Sequence, residues 1–164
     1  MKTIRILTVI LCLPSIGLAQ SSTLKDVYRA YEDHEDAFSI NLNGSFLSFV
    51  EWFDEDDYDD DFDEIREEIK SIKILKIPKG RFGMDREEFR RLNRGVERED
   101  FEELMTIDSD DSDIRVMAIE RNRVIKDLIL IVDGEDEIIL FELLGDINPK
   151  KVGKFSKCIQ FNGI

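Results

Sequence analysis

The sequence predicts an α+β two-layer sandwich: a mainly antiparallel sheet with a C-terminal meander and helices on one face. Three observations carry that expectation. First, two apolar runs, Val124 to Val132 and Ile138 to Leu144, are separated by Asp133-Gly134-Glu135-Asp136, and Asp-Gly between β-branched runs is a strong hairpin signal. Second, the run Asp113 to Glu120 precedes them closely enough to make a three-stranded meander. Third, helical and extended patterns alternate upstream of the meander, and a helical pattern follows it. The charged residues of the meander alternate with apolar ones as on a sheet face turned to water.

Upstream of the fold, Lys2 and Arg5, the apolar stretch Ile6 to Leu13 and the small-x-small pattern Gly17-Leu18-Ala19 read as a secretory leader cleaved after Ala19. The apolar stretch is too short for a bilayer span, which needs about 20 residues. Cys12 follows Leu11, so the leader is not that of a lipoprotein. The mature chain, residues 20–164, is expected as one domain in the periplasm or outside the cell.

Thr23 can cap a first helix running to about Asp36, with Leu24, Val27, Tyr28 and Tyr31 on one face. Phe38 to Leu42 reads as a strand, closed by Asn43-Gly44. Ser45 can start a second helix whose Phe46, Phe49, Val50 and Phe53 form a core-facing stripe. Asp54 to Glu64 holds nine acids in eleven residues, the pattern of an exposed loop. A helical pattern resumes with Ile65 and Ile69, and Ile69 to Ile77 favours a strand bounded by Pro78-Lys79-Gly80. Asp85 to Arg94 reads as a surface helix stopped by Gly95. Phe101 to Ile107 fits both periods; a strand joined to the meander through Asp108 to Ser112 is the preferred reading. Asn148 and Pro149 open a last helix with Val152, Phe155 and Ile159 inward.

These pieces, in this order, resemble one family. The residues that carry the resemblance are the leader ending Gly-Leu-Ala-Gln, Tyr28 and Tyr31, and Ile72-Lys73-Ile74-Leu75. Further along come Phe101-Glu102-Glu103-Leu104-Met105, the Ile-rich strand after Lys126-Asp127, Gly145-Asp146-Ile147 and Lys154-Phe155-Ser156-Lys157. The chain is similar over nearly its whole mature length to the exported family catalogued as domain of unknown function 4252, found in Bacteroidota-type bacteria. The resemblance implies an extracytoplasmic location in a Gram-negative cell and carries over no catalytic residue. The acidic run departs from the family's pattern.

Composition narrows the function. The chain carries 23 basic and 37 acidic residues, net −14; loss of Lys2 and Arg5 with the leader leaves 21 against 37, net −16. Such a surface repels phosphate backbones and anionic membranes and selects a basic protein partner. Cleavage also leaves Cys158 alone, so no internal disulfide can form, and this cysteine reads as a small buried apolar residue.

Nothing in the sequence points to catalysis. His34, the single histidine, sits among Glu32, Asp33, Glu35 and Asp36 and reads as a solvated side chain. One histidine and one mature cysteine do not make the usual zinc sets, and no phosphate-binding or nucleophile-elbow motif occurs. Asp127 and Glu142 lie on strands where burial could raise a pKa, but strand alternation predicts that both face water. Asp57, Asp59, Asp61 and Glu68 have the spacing of EF-hand calcium ligands, while Phe62 stands where that loop requires glycine. Weak calcium binding by the acidic loop is the alternative to solvated charge; no other cofactor is expected. The leading expectation is a non-enzymatic binding domain or soluble accessory protein, against a carboxylate-based hydrolase as the competing class.

Overall fold

The computed structural model describes residues 21–45 and 67–151. The leader, the Phe46 to Phe53 stripe, the acidic run with Asp57, Asp59 and Asp61, Cys158 and the last helix beyond residue 151 lie outside the described residues. Those residues build α1 (Ser22–Tyr31), β1 (Phe38–Asn43), β2 (Ile69–Pro78), α2 (Arg86–Glu97), β3 (Glu102–Asp108), β4 (Ser112–Arg121), β5 (Val124–Gly134) and β6 (Glu137–Ile147). The strands form one six-stranded sheet in the order β1-β2-β6-β5-β4-β3, every neighbour antiparallel. The architecture is therefore the expected α+β sandwich, dominated by its sheet. No helix among the described residues is long and apolar enough to cross a membrane.

The meander closes as its turn chemistry dictates. Asp133 pairs with Ile138 across the Gly134 to Glu137 turn. The β4–β5 connection is Asn122-Arg123, with positive φ at both residues (56° and 65°), the backbone of a type I′ turn. Asn tolerates that conformation; Arg adopts it against the clash of its Cβ.

α1 is shorter than its sequence suggests and starts elsewhere. Ser21, not Thr23, is the cap, its hydroxyl accepting the amide of Leu24 at 3.0 Å. The helix stops at Tyr31 because the following Glu32 to Asp36 offer no further residue for its apolar face; the chain turns instead through His34 to Tyr31 and Ala37 to His34 amide-to-carbonyl bonds. Ile69 opens β2 and does not continue a helix. α2 begins on a capping box between Asp85 and Glu88 and runs through Gly95 to Glu97. Gly95 is not a stop signal. A Cβ there would lie 2.5 Å from the Thr23 side chain, so glycine lets α2 approach the first turn of α1.

α2 carries the chain across the sheet from β2 to the far edge, where Phe101 to Ile107 resolves as a strand: β3 begins at Glu102 and pairs with β4, with a bulge between Glu103 and Met105. Both helices lie on one face. Leu24, Tyr28 and Tyr31 of α1 and Leu92 and Val96 of α2 bury against Leu75, Ile77, Met117, Ile119, Ile129, Ile131, Ile138 and Leu140.

The opposite face is not the solvated one that the charge alternation suggests. The register lines up Leu42, Ile72, Leu143, Leu128 and Ala118 across five strands, and the next row is Ile40, Ile74, Phe141, Leu130, Val116 and Met105. Ile72, Leu143, Leu128 and Ala118 are buried in a second apolar cluster with Ile69, Ile125 and Ile147. β5 and β6 read as near-continuous apolar runs because both of their faces are covered, as in strands of a sheet's interior.

Candidate functional site

Two acids that the sequence leaves on the wet side of the sheet lie under the helices. Asp127 is 0% exposed and Glu142 1%. The register that pairs Ile129 with Glu142 and Asp127 with Leu144 makes them diagonal neighbours on the helix-covered face of β5 and β6. Alternation sets only which face each residue takes; since both faces are covered, it does not deliver either acid to water.

Burial first, and the neighbouring Glu142 second, push the Asp127 carboxyl up to about 8. Asp127 Oδ2 accepts the buried backbone amide of Ser21 at 3.1 Å, while Oδ1 has no hydrogen-bond partner among the described residues. Glu142 Oε2 lies 3.3 Å from Lys73 Nζ, contributed by β2. Lys73 also sits over the Tyr28 ring, 5.2 Å from its centroid. The Tyr28 hydroxyl reaches the Leu140 carbonyl at 3.4 Å, and burial with the Glu142 and Asp127 charges pushes its phenol above the ordinary range.

Beside this group the start of α1 is tied to Glu99. Its carboxylate accepts the hydroxyls of Ser21, Ser22 and Thr23, each at 2.6 Å, and the Thr23 amide at 2.8 Å. Burial alone would raise Glu99, but these hydrogen bonds outweigh it and hold the carboxyl below its usual value.

The group contains a proton-holding acid that is fully buried. A cleft between α1 and the first two strands is lined by Lys25, Tyr28, Arg29, Glu32, Asn41 and Lys73, and neither carboxylate lines it. A general acid must reach the atom it protonates. Asp127, Glu142, Lys73 and Tyr28 therefore make an internal polar cluster joining α1 to the sheet.

Glu68, the one residue of the calcium spacing within the described residues, is already engaged. It accepts the Asn148 amide at 2.7 Å and Lys151 Nζ at 2.8 Å, joining the start of β2 to the end of β6. Burial opposes but does not cancel these contacts, which lower its pKa. No group of three or more His, Cys, Asp or Glu side chains among the described residues converges as a metal site would. His34 is a surface residue of the turn after α1, where its Nδ1 accepts the Asp36 amide at 3.3 Å.

A feature that sequence reasoning passed over lies at the far edge. Leu104, Met105 and Ile107 of β3 are 51%, 46% and 44% exposed, although a strand edge usually carries charge to discourage pairing. Met105 and Ile107 pair with Val116 and Ile114, so they extend the second apolar face to the open edge. Glu102, Glu103 and Asp108 border them, and Asp110, Asp111 and Asp113 crowd the adjoining turn. The signal was available in the alternation Met105, Ile107 continued from Val116, Ile114, but it required the register.

An antiparallel six-stranded sheet, helices on one face, a buried acid cluster beneath them and an open apolar edge define an α+β sandwich. The chain belongs to the family described as Domain of unknown function (DUF4252), whose model matches residues 31–155. Neither a curated protein nor a solved structure matches the chain significantly.

Proposed function

We propose that this protein is an exported, non-enzymatic binding domain, periplasmic or secreted, that takes an extended basic segment of another protein along the open edge of β3. One observation carries the reading: an edge strand that presents three large exposed apolar side chains, Leu104, Met105 and Ile107, between its acids. An added strand would satisfy the free backbone groups of β3 and cover Met105 and Ile107. The bordering acids select lysine and arginine in the incoming segment and hasten the encounter. The full burial of Asp127 and Glu142, neither of which lines the cleft between α1 and the first two strands, weighs against the hydrolase alternative. Calcium binding through Asp57, Asp59, Asp61 and Glu68 gains no support from Glu68, whose carboxylate serves Asn148 and Lys151.

The test uses a short synthetic peptide of alternating lysine and valine, with a glutamate–valine peptide as control, measured by calorimetry. The reading expects binding of the lysine peptide only, weakening as salt rises, and its loss in the doubly substituted Met105→Lys, Ile107→Lys protein. Equal binding of both peptides, or binding untouched by the substitutions, contradicts it.

A further inference from the structure

We propose that two copies of this chain pair end to end through one self-complementary patch: the exposed Arg81-Phe82 tip of the β2–α2 loop enters, on the second copy, the hollow that lies beside that same loop. The contact goes beyond binding at β3 and uses a different surface, the end of the sheet instead of its edge.

The loop holds its tip out in a closed backbone. Gly80 donates its amide to the Met84 carbonyl at 3.1 Å, Met84 donates to Pro78 at 2.9 Å, and Gly83 donates to Gly80 at 3.2 Å. A Cβ at Gly83 would fall 1.8 Å from the Pro78 carbonyl oxygen, so only glycine lets the chain close there. Arg81 and Phe82 are left at the tip. Phe82 is 69% exposed, the most of any large apolar side chain among the described residues, and the Arg81 guanidinium lies 5.8 Å from its ring centre. Arg81 makes no ion pair among the described residues.

Beside the loop lies a hollow of about 410 Å³, with Met84, Phe89 and Ile138 as its apolar lining and Asp133 and Glu135 of the β5–β6 turn on its rim. The Lys79 amide donates to the Asp136 carbonyl at 2.8 Å and so fixes the loop to that turn. An adjoining hollow shares Asp133 and Glu135 and adds Asp110, Asp111 and Asp113 of the β3–β4 turn. Of the other charges at the first hollow, Lys79 is held by Asp133 at 2.5 Å, Asp85 caps α2, and Arg86 opens that helix. Glu135, Asp110 and Asp111 make no ion pair among the described residues.

An apolar knob with a cation beside it thus adjoins an apolar hollow with acids beside it. Such a patch matches itself across a two-fold axis, and a two-fold contact closes after two copies. The Phe82 ring of each copy then covers Met84, Phe89 and Ile138 of the other, and its Arg81 guanidinium meets the Glu135 carboxylate. Within one chain the same contacts are not made, since Phe82 stands in solvent.

Sedimentation equilibrium of the purified protein across a dilution series tests the pairing, and a monomer–dimer equilibrium is the expected result. Phe82→Ser should raise the dissociation constant by about tenfold or more, as loss of an aromatic anchor does, with the melting temperature of the monomer unchanged. Arg81→Glu should weaken the dimer as well, and adding Glu135→Arg to it should restore the parent value, a rescue that damage to the loop would not allow. The Met105→Lys, Ile107→Lys protein should dimerise as the parent does. A protein that stays monomeric throughout the series overturns the pairing, as does a dimer that Phe82→Ser leaves intact. Assembly beyond two copies overturns the two-fold form, and a charge swap that restores nothing overturns the Arg81–Glu135 contact. Loss of the dimer on substituting Met105 and Ile107 assigns the contact to the β3 edge and overturns the end-to-end one.

Discussion

Lys73 Nζ stands 3.3 Å from Glu142 Oε2 across the β2–β6 pair, with the Glu142 side chain fully buried and the Lys73 side chain largely so. A buried ion pair need not stabilise a fold relative to apolar residues, but removing one partner leaves a charge in a medium that cannot solvate it. Lys73→Met should therefore cost roughly 3–5 kcal/mol in urea unfolding. The double variant Lys73→Met, Glu142→Leu should recover most of that loss. Equal destabilisation in the single and double variants would show that Lys73 acts through packing alone.

Asp127 gives the fold a pH dependence of unusual sign. Its folded carboxyl titrates near about 8 and its unfolded one near about 4, so between those values the folded state holds a proton that the unfolded state lacks. Stability falls as pH rises through that window, by at most about 1.4 kcal/mol per pH unit, and levels off above it. Asp127→Asn should flatten the profile and melt higher than the parent at pH 8. A parent profile that rises from pH 5 to pH 8 would contradict it.

Gly95 fits α2 against α1. In a solvated helix, alanine would gain about 1 kcal/mol over glycine. Here its Cβ would fall 2.5 Å from the Thr23 side chain, which is itself anchored to Glu99. Gly95→Ala should lower stability by about 1–3 kcal/mol, the usual cost of overpacking. Thr23→Ala in the same chain should relieve part of it. A Gly95→Ala protein that melts above the parent would refute the close approach.

The β4–β5 turn carries its own strain. Arg123 holds φ at 65°, where glycine pays no steric cost. Arg123→Gly should raise stability by roughly 0.5–1 kcal/mol, the relief of that conformation less the added freedom of the unfolded chain. Thermal melting reads the change directly, and a lower melting temperature would contradict the I′ assignment.

The strands were legible in the sequence where their composition was unambiguous. Val124 to Val132 and Ile138 to Leu144 declare themselves, and Asp133-Gly134 marks their turn; Asn122-Arg123 does not, because Arg is a poor residue for that backbone. Local pattern also misplaced the ends of α1 and α2. The Ser21 cap and the passage through Gly95 are decided by tertiary partners, Asp127, Glu99 and Thr23, that are distant in sequence. The same limit hid the polar cluster. Alternation led to the expectation that Asp127 and Glu142 face water, but their side of the sheet is dry because α1 lies over it, and only the register shows Lys73 opposite Glu142. The β3 strand was read correctly from Phe101, Met105 and Ile107, but the exposure of Leu104, Met105 and Ile107 follows from β3 being last in the sheet order, which local pattern does not show.

The most direct test of a β3 docking edge is amide hydrogen exchange with the lysine–valine peptide present and absent. Residues Glu102 to Asp108 should gain protection on peptide addition, while the other edge, Phe38 to Asn43, stays unchanged. Protection at β1 instead, or none at β3 under saturating peptide, would contradict the account.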